Sequence, residues 1–194
     1  MLVPSLWQTK MCAGYVNNAA GSARPLLLKN DFGYDAAQLG RLMSAMFFAN
    51  ALVGLRLGRI TELLGGALET IVRCLCGMMT LYVILGCTFE PRLGAPGRAT
   101  PENGVWLYLL LGVGLSMMQF PLATTITAKS TALVPPELKG TLVGIEHATF
   151  SLAGLFGPQA GVYLLERGGL SAVAYAAAAV YAVLFAAWRL HAWG

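Results

Sequence analysis

The stretch GIEHATFSLAGLFGPQAG, residues 144–161, is mostly apolar, yet it places Glu146 beside His147 and then Gly157 beside Pro158. A helix on a soluble domain would turn its charges to water. In lipid, a lone carboxylate costs about 3 kcal/mol on insertion scales, so it must be paired, hydrated or protonated. The solvent around this stretch therefore decides the fold, and composition identifies that solvent. The chain has 194 residues, 57% hydrophobic and only 11% charged, with a mean hydropathy of +0.64. Soluble domains carry roughly 25% charged residues. So few charges cannot coat a globule of this size, and the expected class is all-α integral membrane. The net charge of +4 is spread along the chain without a basic run, which gives no footprint for nucleic acid.

Spanning helices need roughly 20 mostly apolar residues. Residues 36–58, 67–89 and 170–190 meet this cleanly, and 105–133 and 141–165 meet it with polar residues inside. The first segment, 2–28, holds Gln8, Lys10, Asn17 and Asn18, and its pattern allows an interruption near Gly21. The expectation is a six-transmembrane-helix bundle in a single domain, 1–194. The connectors at 29–35 and 90–104 are rich in Gly, Pro and Asn, as turns are. Those at 58–66, 134–140 and 166–169 are short, and short links make neighbouring helices antiparallel. Six basic residues fall on each side of such a bundle: Arg56, Arg59, Arg73, Lys129, Lys139 and Arg189 against Arg24, Lys29, Arg41, Arg92, Arg98 and Arg167. Loop charge therefore sets no orientation.

Small residues four apart recur at Gly54/Gly58, Gly140/Gly144, Gly157/Gly161 and Ala174/Ala178, a pattern that lets membrane helices approach closely. Cys12, Cys74, Cys76 and Cys87 all sit in or at the end of apolar stretches. They read as small packing residues, with no metal-site spacing and no implied cofactor. Met1 is not followed by a basic start and an apolar run, so no signal peptide is read there.

Polar residues inside a membrane face partners or cavities. Glu69 and Arg73 are four apart with the acid first, the better order for a helical ion pair. Asn17, Asn18, Asn50 and Gln119 fall near the middle of three different helices. They are candidates for a polar central cavity, with interhelical hydrogen bonding as the plainer alternative. At 100° per residue, Glu146 shares the small-residue face of Ala153 and Gly157, while His147 turns toward Phe150 and Gly154. Burial favours the protonated form of a carboxyl group, which suits Glu146 to carry a proton. The plainer alternative is an acid paired with a basic residue of a neighbouring loop. Lys10, inside the first helix, joins Glu146, His147 and the amides as the candidate substrate or proton pathway. Pro158 lacks the amide that the Gly154 carbonyl would bond, so a bend is expected there.

Three motifs in order resemble the second half of the major facilitator superfamily. GRITELLGG (58–66) resembles that family's short loop motif, with Gly58, Glu62 and Gly65 in register and Leu63 where a basic residue is usual. VPPELKGTLVG (134–144) is similar to the link into helix eleven. GLFGPQAGVYLLERGG (154–169) resembles the helix-eleven Gly-Pro motif and its closing turn, and FGYDAAQLGRLMSAMFF (32–48) is similar to the start of helix eight. Within the superfamily the pattern looks closest to solute carrier 22 member 18-like transporters of organic cations. The resemblance implies one half of a twelve-helix fold and secondary active transport of small organic solutes. The mechanism it implies is rocking around a midplane site, coupled to a proton or cation. It also implies a cytoplasmic gate at Gly58, Arg59, Glu62 and Gly65, and a hinge at Gly157, Pro158 and Gly161. The implied partners are the lipid bilayer, a small-molecule substrate, and a missing N-terminal half or a second chain.

Two other functions compete. A non-transporting half bundle would act as an interaction or regulatory protein. An intramembrane serine protease would use Ser116 and His147. However, GLSMM (114–118) lacks the glycine expected after the serine, and the second helix has no His-x-x-x-Asn pattern. The reading is therefore of a transporter, not an enzyme.

Overall fold

The computed structural model describes residues 2–30, 32–89 and 101–193, with side chains at 6–30, 32–89 and 106–190. The 90–100 connector, with Arg92 and Arg98, lies outside the described residues. The elements are α1 (Leu2–Asn30), α2 (Ala36–Leu55), α3 (Leu57–Leu63), α4 (Ala67–Phe89), α5 (Pro101–Ala132), a 3-10 turn (Pro136–Leu138) and α6 (Lys139–Trp193). The described residues are all-helical, without strands.

Local chemistry sets several of these boundaries. Asp35 caps α2 through a reciprocal pair. Its carboxylate accepts from the Gln38 amide at 2.6 Å, and the Gln38 side chain accepts from the Asp35 amide at 2.9 Å. Such a capping box satisfies two orphan donors at once. The 58–66 stretch, expected as a link, is mostly the short helix α3. It stops in a Schellman arrangement: the Gly65 amide donates to Glu62 O at 3.0 Å and the Gly66 amide to Thr61 O at 2.9 Å. Gly65 and Gly66 take φ of 87° and 98°, a region open to glycine without a Cβ penalty. The motif glycine at position 65 is thus a helix stop.

The interruption that the sequence allows near Gly21 does not occur: α1 runs unbroken through Gly21 and Pro25. It packs closely against α6. At Gly157 an added Cβ would lie 2.8 Å from Asn18 Cβ and 3.1 Å from the Tyr15 carbonyl oxygen, and at Gly161 it would overlap the Ala19 carbonyl. The Ser22 hydroxyl bridges the two helices between the carbonyls of Ala19 and Pro158, at 2.9 and 3.4 Å. The other expected small pairs divide. Ala174 and Ala178 are buried, and Gly54 packs on Phe120, whereas Gly58, Gly140 and Gly144 face open space.

The break in α6 is at Gly169, with φ 66° and ψ −165°, a conformation that essentially only glycine adopts. The chain reverses there. Glu146, before the break, meets Lys10 of α1, and Trp188, after it, meets the adjacent Thr9 with an Nε1–Oγ1 bond of 2.7 Å. The arms 139–168 and 170–193 are each long enough to cross roughly 30 Å of hydrocarbon at 1.5 Å per residue. By length and apolarity together, three stretches among the described residues qualify as spans: Ala67–Phe89, Trp106–Ala132 and Pro136–Leu190, the last of which takes in the first arm of α6 and most of the second. The core lies where α1, α4, α5 and the 170–193 arm meet, around Ile71, Leu75, Met78, Leu122 and Ile126. Tyr82 and Tyr181 stack within it, ring centroids 5.7 Å apart.

Candidate functional site

The buried acid is paired. Glu146 is 3% exposed, and its Oε2 accepts from the Lys10 ammonium across the α1–α6 seam. Its Oε1 accepts from the Ser130 hydroxyl of α5 at 2.7 Å. The Lys10 Nζ also donates to Thr127 Oγ1 at 2.7 Å, and the Thr127 hydroxyl in turn donates to the Ala123 carbonyl at 3.1 Å. Three helices therefore meet at one ion pair, with both carboxylate oxygens satisfied. A buried charge is tolerated only when paired and hydrogen-bonded in this way. The partner comes from within the first helix, not from a neighbouring loop.

Next to this cluster is a cavity of about 320 Å³, whose polar lining includes Asn17, Arg24, Asn50, Ser116 and Gln119. Its apolar lining includes Phe47, Phe120 and Phe150. Three of the four amides read from the sequence thus meet in one space. The fourth does not. Asn18 is turned one residue further round α1, donates to the Gly14 carbonyl at 2.9 Å and packs on Gly157. The cluster and the cavity are continuous along the helices. Ala123 and Phe150 line the cavity, and Thr127 and Glu146 stand one turn away, roughly 5.4 Å. On α1, Asn17 and Lys10 are two turns apart.

Asn50 Oδ1 is buried without a hydrogen-bond partner. Such an orphan acceptor is costly unless water or a ligand supplies a donor. The Arg24 guanidinium also lines this space, with Nη1 3.4 Å from Met46 Sδ and the Tyr108 hydroxyl beside it. Counting Arg24 as a loop charge missed it. The signal was present in the sequence as a seven-residue repeat on α1, Lys10–Asn17–Arg24, which places three polar side chains on one helix face.

The remaining candidates fall elsewhere. His147 is exposed and is not brought to the cluster, because adjacent helical residues point about 100° apart. Gly58, Arg59, Glu62 and Gly65 are all exposed at α3 and its stop. Gly157 and Gly161 form the contact seam with α1, and helical dihedrals continue through Pro158; Gly169 is the non-helical residue in α6. Glu69 and Arg73 form an exposed pair, Nε–Oε1 3.0 Å. Ser116 cannot meet His147. Ser130, at the level of Glu146, is fourteen residues along α5 from Ser116, roughly 21 Å of helix rise. The protease dyad is therefore not assembled.

The chain matches the family model of the Major Facilitator Superfamily over residues 6–193. The chain belongs to the major facilitator superfamily. Members of this superfamily are membrane transporters rather than enzymes. Comparison with curated proteins and with solved structures gave no significant match.

Proposed function

We propose that this major facilitator chain is a proton-coupled secondary transporter of small organic solutes, in which the Lys10–Glu146 pair is the coupling element. The observation that carries the reading is the placement of Glu146. It is a nearly inaccessible carboxylate tied to α1 through Lys10 and to α5 through Ser130, one turn from an amide-lined cavity. Protonating Glu146 removes the charge that holds Lys10. The three helices then lose their common tie, and α1 is free to move against α5 and α6. Coupling of this kind requires an element with two arrangements that both ligands bias.

In this reading all six long helical segments, including both arms of α6, cross the bilayer in a multi-pass bundle. The bundle rocks against a second six-helix half, with the solute between them. The same reading assigns the cytoplasmic gate to the exposed α3 segment with Gly58, Arg59, Glu62 and Gly65. The superfamily match and the shared cavity support transport. The resemblance to organic-cation transporters would need an acid facing the solute, and the acid nearest the cavity, Glu146, is already engaged by Lys10.

The test is Glu146→Gln in the intact transporter reconstituted in liposomes. The variant should still insert and fold, at reduced stability. Solute-driven proton movement, read with an internal pH dye, should fall at least tenfold. Unchanged proton movement in a folded variant removes Glu146 from coupling. A fold that moves solute without protons in the parent protein as well removes the coupling reading altogether.

A further inference from the structure

We infer that the amide-lined cavity recognises an organic anion, with Arg24 as the group that meets its oxyanion. This rests on the transporter reading and adds the substrate class. The charge balance of the site carries it. Two cations of α1 lie along the same face, but only one is neutralised: Lys10 has Glu146. Among the described residues, no carboxylate lies within ion-pair distance of Arg24. Its neighbours are a thioether and a phenol, Met46 and Tyr108. The space between the two cations is lined by neutral groups, so the described cavity carries a net positive charge.

A guanidinium in a semi-enclosed, low-dielectric space attracts a counter-ion, and its planar fork matches a carboxylate or phosphate in bidentate fashion. The second observation is Asn50 Oδ1, a buried acceptor without a donor that shares the cavity with Arg24. A bound solute with an N–H or O–H would satisfy it. The rest of the lining sets the body of the solute. Phe47, Phe120 and Phe150 offer aromatic faces, and a volume of about 320 Å³ suits a single small ring or short chain. The chemistry that satisfies all three features is a small, partly apolar oxyanion carrying a hydrogen-bond donor. A hydroxylated aromatic carboxylate is the simplest example.

The experiment uses probes of one shape and three charges. Thermal stabilisation of the purified intact transporter is read with 4-hydroxybenzoate, 4-hydroxybenzamide and 4-hydroxybenzamidine. A wider arm holds aliphatic mono- and dicarboxylates, phenyl phosphate and inorganic phosphate. At least one oxyanion should stabilise at millimolar or lower concentration, with the neutral and cationic analogues at least tenfold weaker. Stabilisation by phenyl phosphate in place of the carboxylates would assign the oxyanion as phosphate. Arg24→Gln should weaken the stabilising probe at least tenfold and Arg24→Lys less. An Arg24 that only anchors the helix at the membrane surface would leave binding unchanged in both. Asn50→Leu should weaken the hydroxylated probe more than benzoate.

Preferential stabilisation by the amidine overturns the inference. So does the failure of every oxyanion, or equal binding in parent and Arg24→Gln. These results are separate from the coupling test. Anion binding that survives in a Glu146→Gln protein with no proton movement supports both readings. Anion binding in a protein whose proton movement ignores Glu146 leaves only the anion site standing.

Discussion

Severing the Lys10–Glu146 pair from either side should be unequally costly, and removing both partners should restore much of the loss. The side chain of Glu146 is 1% exposed and that of Lys10 is 20% exposed. Lys10→Met leaves a carboxylate that no water reaches, held by Ser130 alone. Removing one partner of a buried pair costs about 3–5 kcal/mol. Glu146→Gln is milder. The amide keeps the volume and an oxygen for the Ser130 hydroxyl, and the partly exposed Lys10 retains Thr127 and draws in water. The expected loss is about 1.5–3 kcal/mol, the contribution of a hydrogen bond to a charged group. In the double variant no charge is stranded, so the total loss should be only about 1 kcal/mol, because buried pairs replaced by neutral groups are often near neutral. The cycle should therefore show a coupling energy of at least about 3.5 kcal/mol, the excess of the two single losses over that of the double variant. The assay is equilibrium unfolding in mixed detergent–lipid micelles titrated with a denaturing detergent, for the parent, both single variants and the double. Losses that simply add, with a coupling below about 0.5 kcal/mol, would refute the pair as a tie between helices, and the proposed coupling mechanism would fall with it.

Two further predictions concern glycines whose roles the structure separates. Gly161→Ala should lower stability by at least about 1–3 kcal/mol, the usual penalty of overpacking, because its methyl group would meet the Ala19 backbone; Gly140→Ala, in open space, should lose nothing, and equal midpoints for the two in thermal melts would contradict the seam. Gly169→Ala should cost about 1–3 kcal/mol, the strain of an L-residue held in its dihedral region; a melt identical to the parent would mean that the reversal of α6 does not depend on glycine there.

The helices were legible because lipid leaves few ways to satisfy a backbone: long apolar runs must be helical. The two arms of α6 were also legible as separate segments, 141–165 and 170–190, because Gly168 and Gly169 punctuate the run between them. What defeated sequence reading was of two kinds. Partners 136 positions apart, such as Lys10 and Glu146, have no local signal. The face of Glu146 can be read from its helix, but the helix it faces cannot. Asn18 and Arg24 are a different case, since both were decided by rotation alone. Once Asn17 faces a cavity, Asn18 is turned about 100° away and Arg24, seven residues on, returns to within about 20°. Loop-charge counting concealed this, because it placed Arg24 on one side of the membrane and left it there. Gly58, Gly140 and Gly144 failed as packing signals for a related reason. Small-residue spacing shows that a helix can be approached closely, and only the neighbouring helix decides whether it is.

The seven-residue line on α1 joins the two halves of the site physically. Lys10, Asn17 and Arg24 are carried by one continuous helix, so a displacement at one end is felt at the other. At the Lys10 end the helix is tied to α6 by the ion pair, and at Ala19 it is locked to Gly161 by backbone contact. The lock lies between Asn17 and Arg24. In the proposed coupling mechanism, neutralising Glu146 would remove the tie and leave the lock, so that α1 would pivot about the Ala19–Gly161 contact. A pivot there moves Lys10 and Arg24 in opposite directions relative to α6 and alters the distance from Arg24 to Asn50 on α2. An oxyanion that needs Arg24 and Asn50 together would then bind in one arrangement of α1 better than in the other. That differential affinity is the condition under which a proton at Glu146 and a solute in the cavity shift one equilibrium.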